Sequence, residues 1–171
     1  MPDTDQPITF DQMKGTIGSL VFLWSGIEQS LTEAIEILHA ERKLKSVHGI
    51  SRSIDVWSLA VKPTDNISTL RAVLCDRLVK MLREALVIRN LVCHGLISIT
   101  AQLHIDAPEA HLKVRLGEDT RLLTWSQLDE MFSWMSRSRW LIRDLTEAAM
   151  ENDAQRANDR LLSWEKFPEQ Q

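Results

Sequence analysis

The stretch that decides the fold is residues 85–105, ALVIRNLVCHGLISITAQLHI, where the spacing of apolar residues changes at Gly95. Up to Gly95 the apolar positions recur at steps of three and four, which is the period of a helix. From Ile97 to Ile105 every second residue is apolar and the residues between are polar, which is the period of a strand. The stretch therefore predicts a long helix that is followed at once by a β-hairpin.

Helical spacing on both sides of this stretch predicts a mainly α protein. Apolar residues recur at steps of three and four over residues 13–38, 67–92 and 128–149, and a shorter helical segment covers residues 54–61. The hairpin is expected to span about residues 97–116. The expected fold is a bundle of three long helices and a short one, with the hairpin inserted before the last long helix.

Local signals place the ends of these elements. Residues 9–12 and 124–127 each read Thr-x-x-Gln, a capping box that predicts a helix start. Pro63-Thr64-Asp65 is expected to open the second long helix, and Gly95 to end it as a C-terminal cap. Residues 121–123 are expected to add a short third strand after the hairpin.

Cysteine and histidine usage predicts no metal or cofactor. The two cysteines, Cys75 and Cys93, permit either one disulfide or two free thiols, and their apolar neighbours favour two buried, inert thiols in a reducing compartment. His104 and His111 could face each other across the hairpin, but two imidazoles alone make a poor zinc site. No Gly-rich phosphate loop and no hydrolase or metalloprotease motif occurs in the sequence.

The N-terminus and the hydropathy predict a cytoplasmic protein without a membrane partner. The first residues are acidic and polar, so they lack the basic start and apolar run of a secretory signal. Apolar segments are also interrupted by charged residues before they reach the length of a membrane span.

The formal net charge of −4 is unevenly distributed along the chain. The acidic excess lies in residues 144–171, and the first 143 residues carry as many bases as acids. The sequence is therefore divided into a single helical domain, residues 1–151, and an acidic tail, residues 152–171. The few apolar residues of this tail could dock back on the domain or form a face for a partner.

Three polar residues interrupt the end of the second long helix: Arg89, Asn90 and His94. Asn90 and His94 are four residues apart and share a helix face, whereas Arg89 lies about 140° around the helix from His94. A purely structural interpretation is that Arg89 interacts with the helix dipole and that His94 caps carbonyl groups. A functional interpretation needs a geometry that brings Arg89 and His94 to one substrate.

Arg89-Asn90-x-x-x-His94 resembles the R-x(4–6)-H motif of HEPN domains, and its place in a late apolar helix of an α protein matches that family. The resemblance implies a HEPN-like bundle and a metal-independent endoribonuclease, often a toxin or defence protein, that acts as a homodimer. Two motifs then meet across the two-fold axis, so one chain need not supply the whole site. It also implies that an antitoxin or a nucleotidyltransferase-like protein is a possible partner.

The resemblance implies a role for each motif residue. A ribose 2′-OH would attack the adjacent phosphodiester, with one His94 as general base and a second as general acid. Arg89 would hold the phosphate, and Asn90 would orient the scissile group or the imidazole. The alternative is a non-catalytic helical dimer that serves as an adaptor or partner-binding protein.

RNA binding needs positive charge near such a site. The segment Arg71 to Arg89 carries a local excess of bases, and Arg77, Lys80 and Arg83 are the residues expected to bind substrate, although an ordinary solvated helix face has the same pattern. The hairpin's polar face offers further bases that could line a groove, Lys113 and Arg115. Glu28 is a candidate accessory acid, or a surface acid of the first helix.

Overall fold

The computed structural model describes residues 6–42, 49–62 and 69–169, and within these ranges the chain is mainly helical. The helices of the described part are α1 Phe10–Arg42, α2 Ile50–Val61, α3 Leu70–Gly95, α4 Trp125–Met150 and α5 Ala154–Leu161. The strands are β1 Leu96–Thr100, β2 His111–Leu116 and β3 Asp119–Thr124, and a 3-10 turn, Leu162–Trp164, follows α5. The predicted fold class, mainly α with a small β insertion before the last long helix, is confirmed.

The described residues form two compact units, each built from discontinuous stretches of chain. The first unit contains the described residues of Met1–Trp24 and Ala85–Ser133, and the second those of Ser25–Glu84 and Trp134–Gln171. Within the described ranges, no helix combines the length and the apolar character that a bilayer crossing requires.

Both predicted capping boxes are present in the first unit. The backbone nitrogen of Gln12 donates to Thr9 Oγ1 at 3.2 Å, and the backbone nitrogen of Thr9 donates to Gln12 Oε1 at 2.8 Å. At the start of α4 the Thr124 nitrogen donates to Gln127 Oε1 at 3.1 Å, and the return bond to Thr124 Oγ1 is 3.4 Å long. These reciprocal bonds satisfy backbone donors that the first turn leaves free. The predicted start of α3 at Pro63-Thr64-Asp65 falls outside the described residues.

The strands of the first unit form an antiparallel sheet in the order β1-β2-β3. One face of the sheet is buried through Leu112, Val114 and Leu123. The third strand expected at residues 121–123 is present as part of β3.

The first strand is shorter than its alternating pattern predicts. It ends at Thr100, and Leu103 is 85% exposed. The backbone of Gln102 donates to the Ile8 carbonyl at 2.9 Å, and its side-chain amide donates to the Ile105 carbonyl at 3.0 Å. Gln102 therefore directs the chain into a turn although the apolar alternation continues. His104 and His111, which could have faced each other across the hairpin, do not do so, because His104 lies in this turn and His111 is paired with Thr100.

The second unit is centred on residues that the helical pattern predicts to be buried. Ile27, Leu31 and Leu38 of α1 are fully or almost fully buried. Trp57 of α2 is inaccessible to solvent, and its indole Nε1 donates to Thr146 Oγ1 of α4 at 3.0 Å. The indole donor therefore has a partner inside the core, as a buried polar group requires.

The tail segment, residues 152–169, belongs to the second unit and packs there. Asp153 caps α5 by accepting from the backbone nitrogens of Gln155 and Arg156. Phe167 is 2% exposed, and its ring meets that of Trp164 edge to face at a centroid distance of 6.0 Å. This buried aromatic anchors the end of the described chain.

Candidate functional site

The candidate site lies in the last two turns of α3, in the first unit. The apolar side of these turns, Ala85, Leu91 and Val92, is buried. His94 is exposed on the opposite side, and the apolar pattern of the helix is what directs it to solvent. Arg89 and Asn90 are half-buried, so all three polar side chains remain in reach of a ligand.

Arg89 and Asn90 are brought together within one chain. Arg89 Nη1 donates to Asn90 Oδ1 at 3.0 Å. The Arg89 Cα lies far around the helix from His94, and this bond directs the guanidinium to the side of Asn90, which is nearer to His94. Among the described residues, His94 has no hydrogen bond to Arg89 or Asn90, so its imidazole nitrogens are available to another group.

His94 is followed by Gly95, the residue at which α3 packs against the sheet. α3 ends at Gly95 as predicted, but Gly95 does not adopt the positive φ of a glycine cap. A Cβ built on Gly95 would lie 2.7 Å from the carbonyl carbon of Arg115, closer than Cβ atoms ordinarily come to backbone. Gly95 is therefore required because the end of α3 packs directly on the backbone of β2.

A β-bulge follows immediately after this contact. Leu96 pairs with Val114 and Ser98 with Lys113, so Ile97 is an extra residue in β1. Bulges redirect side chains and are frequent beside active sites. The motif thus sits where a helix, a bulge and the central strand of the sheet meet.

The predicted substrate-binding bases lie on the part of α3 that belongs to the second unit. Arg77 Nη1 donates to the carbonyl of Phe167 and, at 3.2 Å, to that of Glu165. Arg83 forms an ion pair with Asp55. Lys80 is exposed, and within the described ranges it has no salt-bridge partner.

Glu28 is half-buried on α1, also in the second unit. The sequence could not show these arrangements, because the acceptors of Arg77 and Arg83 are distant along the chain. Cys93 is exposed, which corrects the prediction of two buried thiols, and both cysteines are free. Burial raises the pKa of the Cys75 thiol to about 12, so Cys75 is not a nucleophile at neutral pH.

The second unit contains a groove that the sequence did not predict. It has a volume of about 280 Å³ and lies between α1 and α4. Its wall includes Trp140, with the guanidinium carbons of Arg139 and Arg143 at 4.5 and 4.9 Å from ring centroids. The spacing of Arg139, Trp140 and Arg143 along one helix is the signal that could have indicated it.

Within the described residues, no group of three His, Cys, Asp or Glu side chains is arranged to hold a metal ion. Comparison with protein-family models, with curated proteins and with solved structures finds no match for this chain.

Proposed function

We propose that this protein is a metal-independent endoribonuclease of the HEPN type, with a composite site formed by two copies of the chain. The observation that carries the proposal is the end of α3, where Arg89 is hydrogen-bonded to Asn90 beside an exposed His94 whose ring has no bond to either. These are the residue types that phosphodiester cleavage by an internal nucleophile needs.

The chemistry assigned to the site is transesterification within the RNA. The ribose 2′-oxygen attacks the adjacent phosphorus, the bond to the 5′-oxygen breaks, and a 2′,3′-cyclic phosphate and a free 5′-hydroxyl result. His94 of one copy takes the 2′-proton, and the His94 of a second copy donates a proton to the leaving oxygen. Arg89 neutralises charge that develops on the phosphate, and its bond to Asn90 holds the guanidinium in place.

Two copies are part of the proposal because, among the described residues, each chain supplies one imidazole at this site, that of His94. A general base and a general acid are both needed, and a two-fold axis beside His94 would place two equivalent imidazoles on one substrate. The role assigned to the enzyme is that of a cytoplasmic toxin or defence nuclease, held in check by an antitoxin or a nucleotidyltransferase-like partner.

The test is RNA cleavage in the presence of EDTA, with analysis of the ends produced. Wild-type protein is expected to leave cyclic phosphate ends. A DNA oligonucleotide of the same sequence, which lacks the 2′-hydroxyl nucleophile, is expected to remain intact. His94→Ala is expected to lower the rate by about 100-fold or more, the usual contribution of acid–base catalysis. Arg89→Ala is expected to lower it by about 100-fold or more as well, because it removes electrostatic stabilisation of the developing charge. His104→Ala, which removes an exposed imidazole from a turn of the same unit, is the matched control and is expected to cleave like wild type.

Three results would refute the proposal: no cleavage by wild-type protein, cleavage that EDTA abolishes, or His94→Ala cleaving at the wild-type rate. A light-scattering mass of one chain at micromolar concentration would refute the composite site. The His94→Ala variant is expected to fold, since His94 is exposed and its removal disturbs no buried contact.

A second candidate is a non-catalytic helical dimer that serves as an adaptor. The engagement of Arg77 and Arg83 by protein acceptors favours it, because these bases are then less available to RNA. Under this proposal the protein forms a dimer without cleaving RNA, and His94→Ala leaves the dimer and any partner binding unchanged.

A further inference from the structure

The sheet of the first unit has a second face that is open to solvent. Residues paired across antiparallel strands project to the same side of the sheet. The register pairs Ser98 with Lys113 and Lys113 with Leu122, so these three side chains lie in one row. The other members of this face follow from the same register: Thr100, His111, Arg115, Thr120 and Thr124. We call these eight residues the open face.

The open face is basic and carries hydroxyl donors. Its two charged residues are Lys113 and Arg115, both exposed, and by register it contains no acid. Within the described ranges, neither Lys113 nor Arg115 is paired with a carboxylate.

Two acids of the surrounding segments, Asp119 and Glu109, are engaged elsewhere. Asp119 lies on the other face, where it accepts bonds of 2.8 to 3.1 Å from Arg121. The carboxylate of Glu109 accepts from the Ser126 backbone at the start of α4. Neither of these two acids therefore pairs with Lys113 or Arg115.

The open face adjoins the candidate site through the backbone. Gly95 packs on the backbone of Arg115, and His94 directly precedes Gly95. The bulge at Ile97 lies between this contact and the pair Ser98–Lys113. Arg115 of the open face thus contacts the residue next to the proposed general base, in the same unit of the chain.

The geometry of β2 suits a chain of phosphates. Lys113 and Arg115 are two residues apart on one strand, so their Cα atoms are separated by about 7 Å. Successive phosphates of an extended polynucleotide repeat at a comparable interval. Two cations on one face of a strand can therefore contact neighbouring phosphates, while the hydroxyls of Ser98 and Thr120 offer further donors.

We infer that the open face binds the phosphate backbone of single-stranded RNA through Lys113 and Arg115, and so leads the strand to His94. The inference rests on the proposed function for the choice of RNA. It assigns the main phosphate contacts to these two bases and not to Arg77 and Arg83, whose guanidinium groups are already bonded within the second unit.

The test measures binding separately from cleavage. A fluorescent 2′-O-methyl RNA serves as the probe, because the blocked 2′-oxygen cannot act as nucleophile. Anisotropy titrations over a range of salt concentrations yield the dissociation constant and the salt slope for wild type and for Lys113→Gln/Arg115→Gln.

The size of the effect follows from counterion release. Each phosphate contact on a single strand contributes about 0.7 to the slope of log affinity against log salt. Loss of two contacts is therefore expected to lower the slope by about 1.4 and the affinity at 0.1 M salt by roughly 25-fold. The conservative variant Lys113→Arg/Arg115→Lys is expected to bind like wild type.

Arg121→Gln is the matched control, since it removes an exposed base from the opposite face of the same sheet. It is expected to leave the affinity and the slope unchanged. The inference is refuted if wild type does not bind the probe, if the double variant binds like wild type, or if Arg121→Gln weakens binding as much. A protein that binds the probe through the open face but cleaves no RNA would refute the proposed function and leave this inference standing.

Discussion

Replacing Gly95 with alanine is expected to destabilise the protein, even though alanine is the better helix former. Gly95 is the last residue of α3, and it is buried against β2. The added methyl group would lie 2.7 Å from the carbonyl carbon of Arg115 and closer still to its oxygen. Because Arg115 contributes backbone and not a flexible side chain to this contact, relief requires that the helix end or the strand move.

The expected magnitude combines two opposing effects. Forcing a methylene-sized group into packed structure costs about 1–3 kcal/mol, and a backbone obstacle places Gly95 near the upper end. Alanine in place of glycine returns at most about 1 kcal/mol through helix propensity. The net loss is about 2 kcal/mol, which for a chain of this size lowers the melting temperature by about 4–8 °C.

The assay is thermal and urea denaturation, followed by circular dichroism, of Gly95→Ala beside Gly18→Ala. Gly18 is a helical residue of the same unit with nothing within 4 Å of a built Cβ. There the same substitution is expected to stabilise by about 0.5–1 kcal/mol, because only the propensity effect remains. The two variants should therefore shift the stability in opposite directions.

Gly95→Asn separates the steric explanation from a glycine cap. Asparagine is tolerated in the left-handed conformation of a helix cap, so a cap would make Gly95→Asn milder than Gly95→Ala. The contact with Arg115 makes asparagine at least as damaging, since it also has a Cβ. A Gly95→Ala protein as stable as wild type, or a clearly milder Gly95→Asn, would refute the reasoning.

Three further predictions concern the buried side chains of Phe167 and Cys75 in the second unit. Phe167→Ala is expected to lower the free energy of unfolding, measured in urea, by about 3–5 kcal/mol, since Phe167 is 2% exposed. Leu162 is 52% exposed, so Leu162→Ala should change it by less than about 0.5 kcal/mol. Equal losses would show that the tail is not anchored by Phe167. At pH 8 a thiol reagent is expected to label Cys93 and not Cys75 in the native protein, as read by mass spectrometry, and labelling of both at one rate would contradict the burial of Cys75. Because the pKa of Cys75 is raised, between about pH 9 and 12 the folded state keeps a thiol proton that the unfolded state loses. The contribution of Cys75 to the free energy of unfolding therefore falls as the pH rises through this range. Cys75→Ala should flatten this fall in stability.

The helices were predictable because their signals are local. The Thr9–Gln12 box placed the start of the first helix and the apolar period over residues 13–38 placed its body, and α1 spans Phe10–Arg42. A capping box involves four consecutive residues, and a helix face repeats every turn, so no distant contact is needed to recognise either.

The sheet was less predictable, since the end of β1 depends on tertiary contacts. The apolar alternation continues to Ile105, yet Gln102 bonds to Ile8 in the N-terminal segment and closes a turn with its side chain. A two-residue period cannot distinguish a strand from a turn that happens to alternate. The partner of the strand decides where pairing stops.

In the candidate site too, some features were recognisable from the sequence and others depended on tertiary contacts. Arg89, Asn90 and His94 were recognisable as polar residues in an apolar helix, and their spacing determined which of them share a face. The bond of Arg89 to Asn90 depends on side-chain conformation, and the acceptors of Arg77 lie 88 and 90 residues further along the chain. Charge on a helix can be counted from the sequence, but its availability to a ligand depends on what folds against it.

By itself, then, the sequence determined the three long helices, the capped starts of α1 and α4, and the change from helix to strand at Gly95, because these follow from the periodicity and bonding of neighbouring residues. The tertiary structure decided why Gly95 must be glycine, since the reason is the backbone of Arg115, twenty residues away. It also decided which bases remain free for a ligand. Both depend on contacts between side chains and backbone that form only after the chain has folded, and no local sequence pattern indicates such contacts.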